Sequence, residues 1–265
     1  MKRTREMEKG SEIKSAIEEL SMLIELKPTG DNLDRTATVH IPTRPFLNVC
    51  NLVIQVLDKI GPTMAVLRQD INRNIQAQVI PVHVQHLSFF LLTACRAMAF
   101  YSFYLSYTYI PLMFLSKRLE MLCNSDPSIY SNLVEILKKE ADEGKAKKGA
   151  SCSKAFVWLA RSLDFTGALF QRLVADPGQK MEQLVEESYS ITLKPWHGWI
   201  STAAYKVSLK LLPDNKTFID LLMPKDETYD NLKEHMQTFI SLLVPFLEEI
   251  HSILILYGLD RLKST

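Results

Sequence analysis

Residues 152–165 read "CSKAFVWLARSLDF", and the spacing of the large side chains in this stretch decides the fold. At roughly 100° per residue, Phe156, Leu159, Leu163 and, a little further on, Phe170 fall on one stripe, as in an amphipathic helix with a core-facing side. Lys154, Trp158, Arg161 and Phe165 fall opposite. An indole between two cations on a non-core face suits stacking on a sugar or headgroup better than it suits core filling.

The helical period continues in both directions. Ile13, Ile17, Leu20 and Ile24 recur at helical spacing and predict a helix over 11–26. A Pro-, Gly-, Thr- and Asp-rich loop follows over 27–45. A helix over 46–61 stops at Gly61-Pro62, and another covers 63–76. Further helices fit 128–142, 152–173, 180–190, 198–212, 216–222 and 227–257, and no period-2 alternation is bounded by turn residues. The fold class is all-α. The mixed-sign segment "KKEADEGKAKKG" at 138–149 reads as a solvated helix end and loop.

Composition agrees with an ordinary globular chain of 265 residues that is 47% apolar and 23% charged, with only 9 glycines. A net charge of +1 and the lack of basic runs with interleaved aromatics argue against nucleic acid as a partner. Cys50, Cys95, Cys123 and Cys152 are scattered, so neither a zinc site nor a disulfide framework is expected, and a reducing compartment fits. The N-terminus is charged and then amphipathic, unlike a secretory signal, which predicts a cytosolic protein.

One segment departs from this pattern. Residues 77–117, "AQVIPVHVQHLSFFLLTACRAMAFYSFYLSYTYIPLMFLSK", contain no Asp, Glu, Asn or Gly, and from 87 to 115 the only charged side chain is Arg96. By hydropathy 87–115 passes for a membrane-spanning helix, since roughly 20 apolar residues suffice. Arg96 inside it is costly in a bilayer. The richness in Phe, Leu, Ser and Tyr, whose codons are pyrimidine-rich, is also what an in-frame retained intron produces.

The polar residues do not assemble a familiar catalytic motif. There is no GxSxG, no HExxH, no paired carboxylates and no Gly-rich phosphate loop. Asp70 and Asn74 are one helical turn apart and share a face. His197 sits in "PWHGWIST" (195–202) between Trp196 and Trp199. A carboxylate, an amide, a cation, an indole and an imidazole together suit the grip of a polar headgroup: hydrogen bonds to an amide and hydroxyls, and a flat face for a ring.

Three matches, "GPTMAVLRQDINRNI" (61–75), "VWLARSLDF" (157–165) and "WHGWI" (196–200), resemble the glycolipid transfer protein superfamily, of a plant type. Order and spacing fit from Phe46 onward. This divides the chain into an N-terminal helix and loop at 1–45 and a glycolipid transfer protein domain at 46–265 that carries the atypical insert 77–117. The family pattern places a basic residue seven after Asp70, where this chain has Ala77. Removing 77–117 joins Gln76 to Arg118 and restores it, so 77–117 reads as an interruption of a headgroup-binding helix.

The resemblance implies a two-layer helical sandwich with an apolar pocket, and a cytosolic, monomeric carrier without cofactor or covalent chemistry. It touches membranes transiently and moves a glycosphingolipid between them. Asp70 and His197 would hold the ceramide amide, Asn74 and Arg118 the sugar hydroxyls, and Trp158 would stack on the sugar. Phe165, Leu169 and Phe170 would line the acyl-chain pocket, while Trp196 and Trp199 would pack or face the membrane interface. A sister branch that carries ceramide-1-phosphate has arginine in place of the tryptophan, so Trp158 favours sugar. Lys154, where the glycolipid branch has an apolar residue, could instead pair with an anionic headgroup. The competing expectations are a ceramide-1-phosphate carrier, a lipid sensor of the same fold, and a membrane-anchored protein held by 87–115.

Overall fold

The computed structural model describes residues 12–25, 40–59, 119–120, 123–124, 126, 130–148 and 151–263. The helix expected at 63–76 and the segment 77–117 lie outside the described residues, and with them Asp70, Asn74 and Arg118. The described elements are helical, as expected. They are α1 (Glu12–Glu25), α2 (Thr43–Lys59), α3 (Leu133–Asp142), α4 (Cys152–Ala175), α5 (Met181–Thr192), a 3-10 turn (Lys194–Trp196), α6 (Trp199–Leu209), α7 (Asn215–Leu222) and α8 (Tyr229–Leu256). Their limits follow the periodic segments to within a few residues. The acidic and basic run after α3 ends in exposed turns, with Gly144 at a φ of 62° that suits glycine.

The caps explain where several helices begin. Ser151 Oγ accepts from Lys154 N (3.1 Å) and donates to Ala146 O (2.7 Å). Glu140 reaches across from α3 and accepts from the backbone N–H of Cys152 (2.8 Å) and Ser153 (2.7 Å). A carboxylate there satisfies two otherwise orphaned donors and opposes the positive end of the helix dipole. Asn132 does similar work between α2 and α3. Its Oδ1 accepts from Val134 N and from Ile41 N, both at 3.1 Å, beside an isolated antiparallel bridge between Pro42 and Asn132. Two helix starts far apart in sequence are thereby tied together.

α4 is the central element. It packs on α8, α5, α3 and α2, while α1 lies against α2 and α8. This corrects the two-faced reading of residues 152–165. Phe156, Leu159 and Leu163 are core residues as expected, but Trp158 (2% exposed), Arg161 (3%) and Phe165 (1%) are equally buried. A helix packed on several neighbours buries most of both sides, so amphipathic spacing could separate its two sides but could not say that both are largely covered. Gly167 leaves room for α8, since a Cβ there would lie 3.3 Å from Leu243 Cδ2.

α1 is held by charge as well as packing. Ile13, Ala16, Leu20 and Leu23 enter the same core as α2 and α8. Lys59 Nζ binds Glu12 Oε2 at 2.8 Å, and Lys14 pairs with Glu227. α8 is long and apolar enough to cross a membrane by length and composition, yet its Phe239, Leu243, Phe246 and Ile250 are core residues. Cys50, Cys123 and Cys152 are buried and form no disulfide among the described residues.

Candidate functional site

Trp158 and His197, distant in sequence, meet in the structure. α4 carries the indole. The chain leaving α5 tightens into the 3-10 turn with Pro195 near its start, and His197 follows, its N–H donating to the carbonyls of Leu193 (3.2 Å) and Lys194 (3.3 Å). The ring centroids of Trp158 and His197 are 5.6 Å apart, with the planes inclined by 30°. Behind His197 stands Tyr189 from the last turn of α5, whose Oη lies 3.1 Å from His197 Nδ1. Tyr189 is itself stacked on Tyr205 of α6 at 3.5 Å and 11°.

Arg161 locks the other side. Its guanidinium carbon lies 4.8 Å from the Trp158 ring and 4.2 Å from the Trp196 ring, a cation held between two indoles. Nη1 donates to Leu262 O (2.7 Å) and Nη2 to Asp260 O (3.1 Å), so the turn after α8 closes over the group. Burial lowers the guanidinium to about 10, a shift opposed by Asp164 and Asp260. It remains charged at neutral pH.

That buried charge shapes its neighbour. Burial first, and Arg161 second, push His197 down to about 4, so the imidazole is neutral at pH 7. A neutral imidazole has one N–H and one acceptor nitrogen. Trp158 Nε1 and Tyr205 Oη are buried and find no hydrogen-bond partner among the described residues. An unsatisfied buried donor costs about 1–3 kcal/mol, so the indole N–H is a point where an acceptor on a ligand gains affinity. Lys154, in the first turn of α4, is half-buried, and burial lowers its pKa. It has no ion-pair partner among the described residues, and a cation at a helix N-terminus is disfavoured by the dipole.

The arrangement is suited to recognition. Among the described residues the His197 ring meets the Tyr189 phenol and the Trp158 indole rather than a serine or cysteine nucleophile. Of the residues expected from the sequence, Trp158 and His197 are brought together and Lys154 lies one turn from Trp158. Phe165, Leu169 and Phe170 continue along α4 into the core at 1%, 0% and 1% exposure, Phe170 edge-on to Phe239 at 5.7 Å. Asp70, Asn74 and Arg118 are outside the described residues. Tyr189 and Arg161 were not among the expected site residues. Arg161 stood in plain view beside Trp158, but its carbonyl partners lie near the C-terminus, a contact that helical spacing does not report. Trp199 is 82% exposed, whereas Trp196 packs partly buried against Arg161.

Comparison with known proteins gives the family. The chain matches the family model described as glycolipid transfer protein at residues 41–79 and 115–224, leaving 80–114 outside the match. It is 47% identical over 266 residues to glycolipid transfer protein 3 of Arabidopsis thaliana, covering 100% of this chain and 97% of that relative. Among solved structures it resembles Arabidopsis ACD11 complexed with ceramide-1-phosphate, with a TM-score of 0.64 at 18% identity, covering 97% of this chain and 100% of that one. It also resembles FAPP2, in a structure described as showing how that protein selects simple glycosphingolipids using the same fold (TM-score 0.59, 21% identity, 88% and 93% covered). These last two likenesses carry the fold. The chain belongs to the glycolipid transfer protein family and has its all-α, two-layer sandwich architecture.

Proposed function

We propose that this protein is a non-enzymatic carrier that binds a glycosylceramide in an apolar pocket and moves it between membranes through the cytosol. The observation that carries the reading is the Trp158–His197 pair, with an indole N–H that finds no partner among the described residues. His197, neutral and held from behind by Tyr189, presents its other nitrogen to the lipid amide, with Asp70 as the second hydrogen-bonding group. Asn74 and Arg118 take sugar hydroxyls when 77–117 no longer separates them. The unmatched stretch 80–114 supports reading 77–117 as an interruption. Trp158 lends the sugar the side of its ring away from Arg161 once binding uncovers it. The acyl chains part the packed side chains around Phe165, Leu169 and Phe170. Exposed Trp199, two residues after His197, meets the membrane interface, where indoles sit readily.

Burial of lipid chains contributes little to the choice of lipid, because roughly 0.8 kcal/mol per CH₂ is gained in membrane and protein alike. Headgroup contacts therefore decide selection. Intervesicle transfer of labelled glucosylceramide, with ceramide-1-phosphate as competitor, tests this. Trp158→Ala and His197→Ala are expected to slow glucosylceramide transfer at least tenfold. Undiminished transfer by both variants would contradict the reading.

A second reading rests on Lys154. Together with Arg161 it places two cations within one turn of Trp158, and neither is hydrogen-bonded to a carboxylate among the described residues. An anionic headgroup such as that of ceramide-1-phosphate would pair with the ammonium as a point charge. Lys154→Leu then separates the two readings: it leaves glucosylceramide transfer intact in the first and abolishes ceramide-1-phosphate competition in the second.

A further inference from the structure

We infer that Tyr189 is a positioning residue whose hydroxyl donates to His197 Nδ1, fixing the imidazole proton on Nε2 and making that edge a hydrogen-bond donor for a carbonyl oxygen. The inference rests on the reading above, in which His197 holds the lipid amide, and it specifies which half of the amide His197 takes.

The geometry leaves two arrangements at the 3.1 Å contact: the phenol donates to Nδ1, or Nδ1–H donates to the phenol. Three features favour the first. The sp² lone pair of an imidazole nitrogen is a much stronger acceptor than a phenol oxygen, whose lone pair is delocalised into its ring. The phenol is also the more acidic partner, so O–H···N is the better-matched hydrogen bond. Finally, Tyr189 is not free to turn away. It is 1% exposed and stacked face to face on Tyr205, while the backbone N–H of His197 is tied to two carbonyls.

The consequence is chemical selectivity. His197 makes no hydrogen bond through Nε2 among the described residues, so Nε2–H is available for a ligand. An imidazole fixed in this tautomer offers a donor to a C=O and can accept nothing from an amide N–H. The N–H of the same amide is left to a carboxylate. Orientation of a histidine by a hydrogen bond to its second nitrogen is the same device by which metal-binding and catalytic histidines are set.

Long-range ¹H–¹⁵N correlation of the imidazole nitrogens in the full chain at pH 7 reads the tautomer directly and needs no lipid. The wild type is expected to show a single Nε2–H tautomer at His197. Tyr189→Phe, which keeps the stacked ring, is expected to show a mixture of both tautomers and a five- to tenfold slower glucosylceramide transfer. In a His197→Ala background Tyr189→Phe should cause no additional loss, because the hydroxyl acts through the imidazole. An Nδ1–H tautomer in the wild type, or an unchanged spectrum in Tyr189→Phe, would overturn the inference. Failure of the carrier reading shows itself separately, as His197→Ala transferring at the wild-type rate.

Discussion

At the scale of single residues the account turns on charge in a closed space. His197 is held neutral to about pH 4, whereas in the unfolded chain it titrates near 6.5. Between these values the unfolded state binds the extra proton, so stability rises with pH across this window and is lost as pH falls from about 6.5 towards 4. The full shift corresponds to roughly 3 kcal/mol. His251, raised by its 2.9 Å contact with Asp164, acts in the opposite sense. Urea unfolding at several pH values between 4.5 and 7.5 should therefore show a pH slope that is shallower in His197→Leu than in the wild type. An equal slope in both would place the titration elsewhere.

Arg161 makes a sharper prediction. Its guanidinium holds two backbone carbonyls and two indoles while 3% exposed. Arg161→Met keeps an unbranched stem but leaves those carbonyls unpaired, at a cost of about 2–4 kcal/mol. Calorimetry should record a lower Tm, and tryptophan emission should change because Trp158 and Trp196 lose their shared cation. Unchanged stability would mean that water replaces the guanidinium without loss.

At the scale of elements, two contacts set how helices meet. Asn132→Ala removes the single oxygen that caps α3 and satisfies Ile41 N. A destabilisation of about 1–3 kcal/mol is expected, seen as a lower urea midpoint with an unchanged slope. Gly167→Leu should cost a similar amount by forcing α4 and α8 apart, since even a Cβ would press on Leu243 at 3.3 Å.

These elements also show what a sequence carries. Helical spacing placed α1 to α8 because a core-facing stripe leaves a repeating mark in one dimension. The same mark misjudged the second side of α4. Trp158, Arg161 and Phe165 are buried by helices whose position depends on topology, and topology is not written in local period. Of the candidate site, the resemblance singled out Trp158 and His197, which the structure brings together. Tyr189 was not singled out, because a tyrosine eight residues before a histidine signals nothing until a 3-10 turn folds the chain back on α5. Arg161 depended on carbonyls at 260 and 262, which no side-chain pattern encodes.

At the scale of the whole molecule the question is whether 77–117 belongs to the working protein. It separates Asp70 and Asn74 from Arg118 in sequence, and the family match breaks at 79 and resumes at 115. Transcripts from the source should include a form that joins the codon of Gln76 to that of Arg118 in frame. A membrane anchor at 87–115 would instead make the full chain resist alkaline carbonate extraction.

The central claim is most directly tested by intervesicle transfer of labelled glucosylceramide, comparing the full chain, the chain lacking 77–117, and the latter carrying His197→Ala. The account predicts rapid transfer by the shortened chain and at least a tenfold loss on His197→Ala. A folded, soluble shortened chain that moves no glucosylceramide would contradict it.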